Sequence, residues 1–140
     1  MYLTELFDKP MGYEAVPSVH GWRYQAMIDG KDLEVSFTPW RGLTIDEVEY
    51  LGVELSFYIN GSVDQPKTAR KLSQKNVYNV FATVSQIFQD WLKEYKDEAA
   101  FVYCSSDIEI KLKIYEMIIP RVAKKIGWNY IGNIDQMFII

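Results

Sequence analysis

The chain has 140 residues, the size of one domain built on one core, with no room for a second. Hydrophobic residues make up 49% and aromatic residues 15%, which excludes a disordered polypeptide. A net charge of −4, from 15 basic and 19 acidic residues, excludes the strongly basic profile of a general nucleic-acid binder.

In chain order, Leu3 to Phe7 is expected to form a short opening helix. Gly21–Ile28 and Lys31–Phe37 flank Asp29-Gly30, the dipeptide of a tight hairpin turn that needs positive φ. In the second run Leu33, Val35 and Phe37 alternate with Asp32, Glu34 and Ser36, the period of a half-buried strand. Pro39 to Tyr50 reads as an acidic connector. A third strand is expected over Gly52–Asn60, where Val53, Leu55, Phe57 and Ile59 share one face, and Asn60-Gly61 ends it. From Asn76 to Tyr95 the period changes: Val77, Val80, Phe81, Val84, Ile87, Phe88, Trp91, Leu92 and Tyr95 form one apolar face of a helix. Ala99–Cys104 is a short run of strand formers. Ser106 to Glu109 has the pattern of a capping box, opening a second helix through Ile126. Pro120 is expected to kink or divide that helix, and Gly127 to stop it. Trp128–Ile140 supplies one or two closing strands. The fold class is α+β: one domain, residues 1–140, with a mixed sheet, an antiparallel front and a β-α-β-α-β back with two main helices. Strand 52–60, helix 76–95 and strand 99–104 form a crossover whose default is parallel pairing.

Four stretches carry a resemblance: GWRYQAMIDGKDLEVSF, VELSFYING, VYNVFATVSQIFQDWLKEY and FVYCSSDIEIKLKIYEMIIPRVAKKIGW. Together they resemble a group of small bacteriophage-encoded proteins, over roughly residues 20 to 130. The element order is also similar to the acyl-CoA N-acetyltransferase fold. That resemblance implies a pyrophosphate-binding loop before the first long helix and a tyrosine acting as general acid on the second, a position matched by Tyr115. The family's loop signature is Arg or Gln, two residues, Gly, one residue, then Gly or Ala. The matching interval GSVDQPKTARKLSQKN has no glycine after Gly61, and side chains there keep backbone amides from a pyrophosphate.

The same interval concentrates Lys67, Arg70, Lys71 and Lys75 against Asp64 and leads into a helix N-terminus. This is a candidate anion- or partner-binding site, beside the plainer reading of solvated cations on a connector. Charge is divided unevenly: residues 1–60 carry −6 and residues 61–140 carry +2. Lys111, Lys113, Arg121, Lys124 and Lys125 are expected on the exposed side of the second helix. Trp40 and Arg41, in a connector, are interface candidates. Asp46, Glu47 and Glu49 lack calcium-loop spacing and read as solvated. His20, the one histidine, has no partners for zinc or for a serine triad. Cys104, the one cysteine, rules out an internal disulfide and suits a reducing compartment; it precedes a helix N-terminus, where a thiolate pKa can be lowered, beside the plainer reading of a buried free thiol. Tyr115 reads as a core aromatic whose hydroxyl needs a partner, and as an acid only beside an open cleft.

With no long apolar run and no cationic leader in MYLTELFDKP, neither a membrane span nor a secretory signal is expected. These readings lead to a non-catalytic phage protein that binds a host or phage protein in the cytoplasm of the infected bacterium, without cofactor or metal and without nucleic acid. The alternatives are an acetyltransferase with a degenerate pyrophosphate loop, using acetyl-CoA and Tyr115, and a minor virion component.

Overall fold

In chain order the elements are β1 (Tyr13–Val16), β2 (Trp22–Ile28), β3 (Lys31–Ile45), β4 (Val48–Ile59), α1 (Gln74–Tyr95), a 3-10 turn (Lys96–Glu98), β5 (Phe101–Ser105), α2 (Glu109–Ile126), β6 (Tyr130–Gly132) and β7 (Gln136–Ile139). They are seen in a computed structural model that describes residues 12–28, 30–59, 74–106, 109–132 and 136–139. The opening helix expected at 3–7, and residues 107 and 108 of the expected capping box, lie outside the described residues.

The strands form one seven-stranded sheet in the order β1-β2-β3-β4-β5-β7-β6. β1 to β4 run antiparallel as a meander. The crossover through α1 then sets β5 parallel to β4, as the sequence led us to expect. β7 pairs antiparallel with both β5 and β6. The α+β class and the mixed sheet are therefore as expected, with β1 added at the edge. Gly30, at φ +73°, turns β2 into β3.

The alternating side chains of β2 to β5 place Ile28, Leu33, Val35, Phe37, Val53, Leu55, Phe57, Ile59, Val102 and Cys104 in a single core with α1 and α2. Both helices thus cover the same face of the sheet. Each fully buried Val, Leu, Ile or Phe there contributes about 1.5–3 kcal/mol relative to exposure. Phe37 stacks on Trp91 at 4.6 Å between ring centres. Trp22 meets Trp91 edge-on at 5.3 Å. α2 is one helix with Pro120 inside it, not two, and Gly127 leaves it at φ +78°.

The stretch expected to be an acidic connector, 39–50, is instead strand. β3 continues to Ile45 and β4 begins at Val48, paired Leu43↔Tyr50, Thr44↔Glu49 and Ile45↔Val48 across a bulge between Trp40 and Leu43. Pro39 does not stop β3, for a reason visible in the register. Leu51 and Leu55 turn their carbonyls to the β5 side, so by strand alternation Val53 does the same. Its partner Pro39 therefore faces away from β4, towards β2, which has already ended at Trp22↔Phe37. The missing N–H forfeits no rung. Asp46 and Glu47 close the ribbon at φ +51° and +65°, a left-handed turn without the usual Asn or Gly.

Candidate functional site

The seam between β4 and β5 is where the acetyltransferase resemblance implies a cleft. The two strands pair only at Gly52↔Phe101, Val53↔Val102 and Glu54↔Tyr103. Beyond Glu54 the β4 pairing ends, while β5 stays paired with β7 along its other edge as far as Ser105. Gly52 permits the close approach, since a Cβ there would lie 2.5 Å from the Phe101 ring.

α2 fills the opening from the helix side. Tyr115, on α2, is fully buried. Its ring meets Phe57 edge-on at 5.4 Å, and its hydroxyl donates to the Leu55 carbonyl at 3.3 Å. That carbonyl has lost its β5 partner, so the phenol satisfies a group that would otherwise be orphaned in the core. Lys111, one turn earlier, corrects the expectation that it is exposed. It is only 6% exposed, with its ammonium 4.6 Å from the Tyr58 ring centre and 5.2 Å from that of Phe57. The aliphatic stem lets the residue be buried while the charge rests on aromatic faces. Lys113, Arg121, Lys124 and Lys125 are exposed as expected.

Cys104, across the seam on β5, is buried. Burial first, and the neighbouring Glu54 carboxylate second, push its thiol far above the ordinary value of 9.0. It is therefore a neutral thiol at physiological pH, the opposite of an activated nucleophile. The seam thus presents a phenol committed to a carbonyl, a protonated thiol and an ammonium over rings. At Leu55 the opening between the strands is taken up by Tyr115.

On the sheet face away from the helices, Trp40 corrects its placement in a loop. It lies in β3 opposite Gly52, is half-buried, and stacks on Tyr103 at 4.3 Å with planes 6° apart. Phe101 meets it edge-on at 5.6 Å. Arg41 follows it in β3. Ser36 and Ser56 share a 2.8 Å hydrogen bond on the same face, and Arg23 donates to Glu34 at 2.7 Å through Nε. Beyond Trp40 the β3–β4 ribbon carries exposed Asp46, Glu47 and Glu49 at its tip.

Of the expected anion site, Lys67, Arg70 and Lys71 lie outside the described residues, and Lys75 lies in the first turn of α1. His20 is exposed, and its carbonyl accepts from the Ser18 hydroxyl at 3.0 Å. Among the described residues, no group of three or more His, Cys, Asp or Glu stands together to hold a metal ion. No helix among them is long and apolar enough to cross a membrane. The burial of Lys111 is the feature sequence reasoning missed; its position four residues before Tyr115, on the same helix face, was the available signal.

A scan against family models finds no match for this chain, and comparisons with curated proteins and with solved structures find none either. The functional reading rests on the residues themselves.

Proposed function

We propose that this is a phage-encoded protein without catalysis of its own, which binds a host or phage protein in the cytoplasm of the infected bacterium. The observation that carries the reading is the closed seam. The Tyr115 hydroxyl, the one candidate acid, is buried and donates to Leu55, so it has neither a path to substrate nor a proton to spare. The Cys104 thiol, in the same core, is held neutral. What remains for function is recognition by surfaces, and the sheet face bearing the Trp40–Tyr103 stack supplies a rigid aromatic anchor of the kind that dominates interfaces. The test is affinity recovery of the tagged protein from infected cells. A stoichiometric partner displaced by untagged protein is expected; none at any expression level overturns the reading.

One observation favours a second reading, an acyl-CoA-dependent acetyltransferase: the parallel β4–β5 pair parts after three rungs and is followed by a helix bearing Tyr115, as the resemblance implies. Fold alone does not carry activity. Calorimetry with acetyl-CoA separates the two. Binding that is lost in Arg70→Ala promotes the acetyltransferase, and absence of heat at millimolar ligand retires it.

A further inference from the structure

The molecule carries an apolar tip ringed by carboxylates and an apolar notch bordered by ammonium groups. The tip is the end of the β3–β4 ribbon. Outward from its base, Leu51 is 52% exposed, Tyr50 37% and Val48, at the tip, 52%, with Asp46, Glu47 and Glu49 exposed at the outer end. Pairing runs from Trp40↔Gly52 out to Ile45↔Val48, about 16 Å of ribbon at roughly 3.3 Å per residue. The notch lies between the C-terminal ends of α1 and α2. It has a volume of about 290 Å³ and is lined by Leu92, Lys93, Ile126 and Trp128. Lys125 spans the two helices there, donating to Gln89 at 3.1 Å, and Lys124 and Arg121 are exposed on the same turns of α2. Glu94 belongs to the other flank of α1, beside Tyr24 and Tyr13.

Tip and notch occupy the same end of the sheet. Trp22, opposite Phe37 just before the ribbon begins, packs on Trp91 and Tyr95 near the end of α1 at 5.3 and 5.1 Å. Ala100 N–H donates to the Leu51 carbonyl at 2.8 Å, tying the end of that segment to the ribbon's base. The exposure of Val48, Tyr50 and Leu51 shows that the chain's own notch does not take its tip.

We infer that a second copy of this chain does, and that two copies exchange ribbons reciprocally about a two-fold axis. Apolar tip meets apolar notch, and the carboxylates of one chain meet the lysines of the other. Because both halves of the contact lie at one end, each copy gives and receives at the same patch. Such an isologous contact closes at two and does not propagate into a filament. This dimer is independent of any foreign partner, whose recovery is a separate measurement.

Sedimentation equilibrium from micromolar to millimolar protein tests it. A reversible monomer–dimer equilibrium that weakens with added salt is expected. Glu47→Lys with Glu49→Lys raises the dissociation constant about tenfold or more, as does Lys93→Glu with Lys125→Glu. The two charge-reversed proteins mixed together regain hetero-association. Circular dichroism melts that match the parent confirm that each variant is folded. A monomer at every concentration overturns the proposal, as does a dimer indifferent to both pairs of substitutions, or reversed pairs that fail to associate when mixed.

Discussion

At the scale of single residues, one hydroxyl answers the carbonyl that the parting strands leave behind. Tyr115→Phe keeps the ring on Phe57 and strands the Leu55 carbonyl, which costs about 1–2 kcal/mol; the urea midpoint reads it, and an unchanged midpoint refutes it. Two glycines are fixed by close contact, and Gly21 by its left-handed φ as well. A Cβ on Gly21, at φ +83°, would stand 2.0 Å from the Phe37 carbonyl oxygen, and one on Gly52 would stand 2.5 Å from the Phe101 ring. Gly52→Ala therefore costs about 2 kcal/mol or more through forced displacement of the Trp40–Phe101–Tyr103 cluster. Near-ultraviolet circular dichroism is expected to change with it. Cys104 offers an independent check on the closed seam. Its labelling by an aromatic disulfide at pH 8 is expected to proceed only at the rate of global unfolding, because the thiol is buried and protonated. Rapid labelling of the native protein would show the seam to be open.

At the scale of elements, legibility followed how local the governing physics was. The β2–β3 hairpin was readable because Asp29-Gly30 supplies a turn from two residues, and α1 because nine apolar positions recur at helical spacing. The β3–β4 ribbon was not, since Pro39 and the acids at 46, 47 and 49 all look like connector. Only the pairing with β4, and the early end of β2, make Pro39 harmless. β1 was missed because four residues at a sheet edge, two of them exposed, carry almost no periodic signal. What secures β1 is a distant partner: the Tyr13 hydroxyl donates to Asp90 on α1, whose other oxygen accepts from Gln86 at 2.8 Å. Tyr115 was legible by position; for Lys111 position was only a hint, because its burial depends on how far β4 and β5 part. The ribbon's turn gives a prediction of its own. Asp46 and Glu47 hold left-handed φ values that Asn-Gly adopts with less strain. Asp46→Asn with Glu47→Gly is expected to stabilise the protein by about 0.5–1 kcal/mol, read as a rise in melting temperature, and a fall would mean the turn is not the one described.

At the scale of the whole molecule, one buried thiol and two half-buried phenols set an alkaline limit. Cys104 is pushed far above its ordinary 9.0, Tyr24 is pushed up to about 12 by burial first and then by Tyr95 and nearby carboxylates, and Tyr13 is raised by burial and by Asp90. Each group keeps its proton in the folded chain at a pH where the unfolded chain has released it. Their stabilising contribution is complete below the unfolded values, and falls as pH climbs from about 9 towards the folded ones. Chemical denaturation is expected to show constant stability to pH 8 and a progressive decline above it, with Cys104→Ala removing the earliest part. The three-rung join between β4 and β5 also has a kinetic side. Each turn of the meander closes within a few residues, whereas Gly52 and Phe101 are about fifty residues apart, so their meeting waits on a far larger loss of chain entropy. Pulse-labelled amides of β2 and β3 should gain protection early in refolding, and those of β5 only once α1 has swung the back half into place. The parallel join is thus expected to be the late event in assembly.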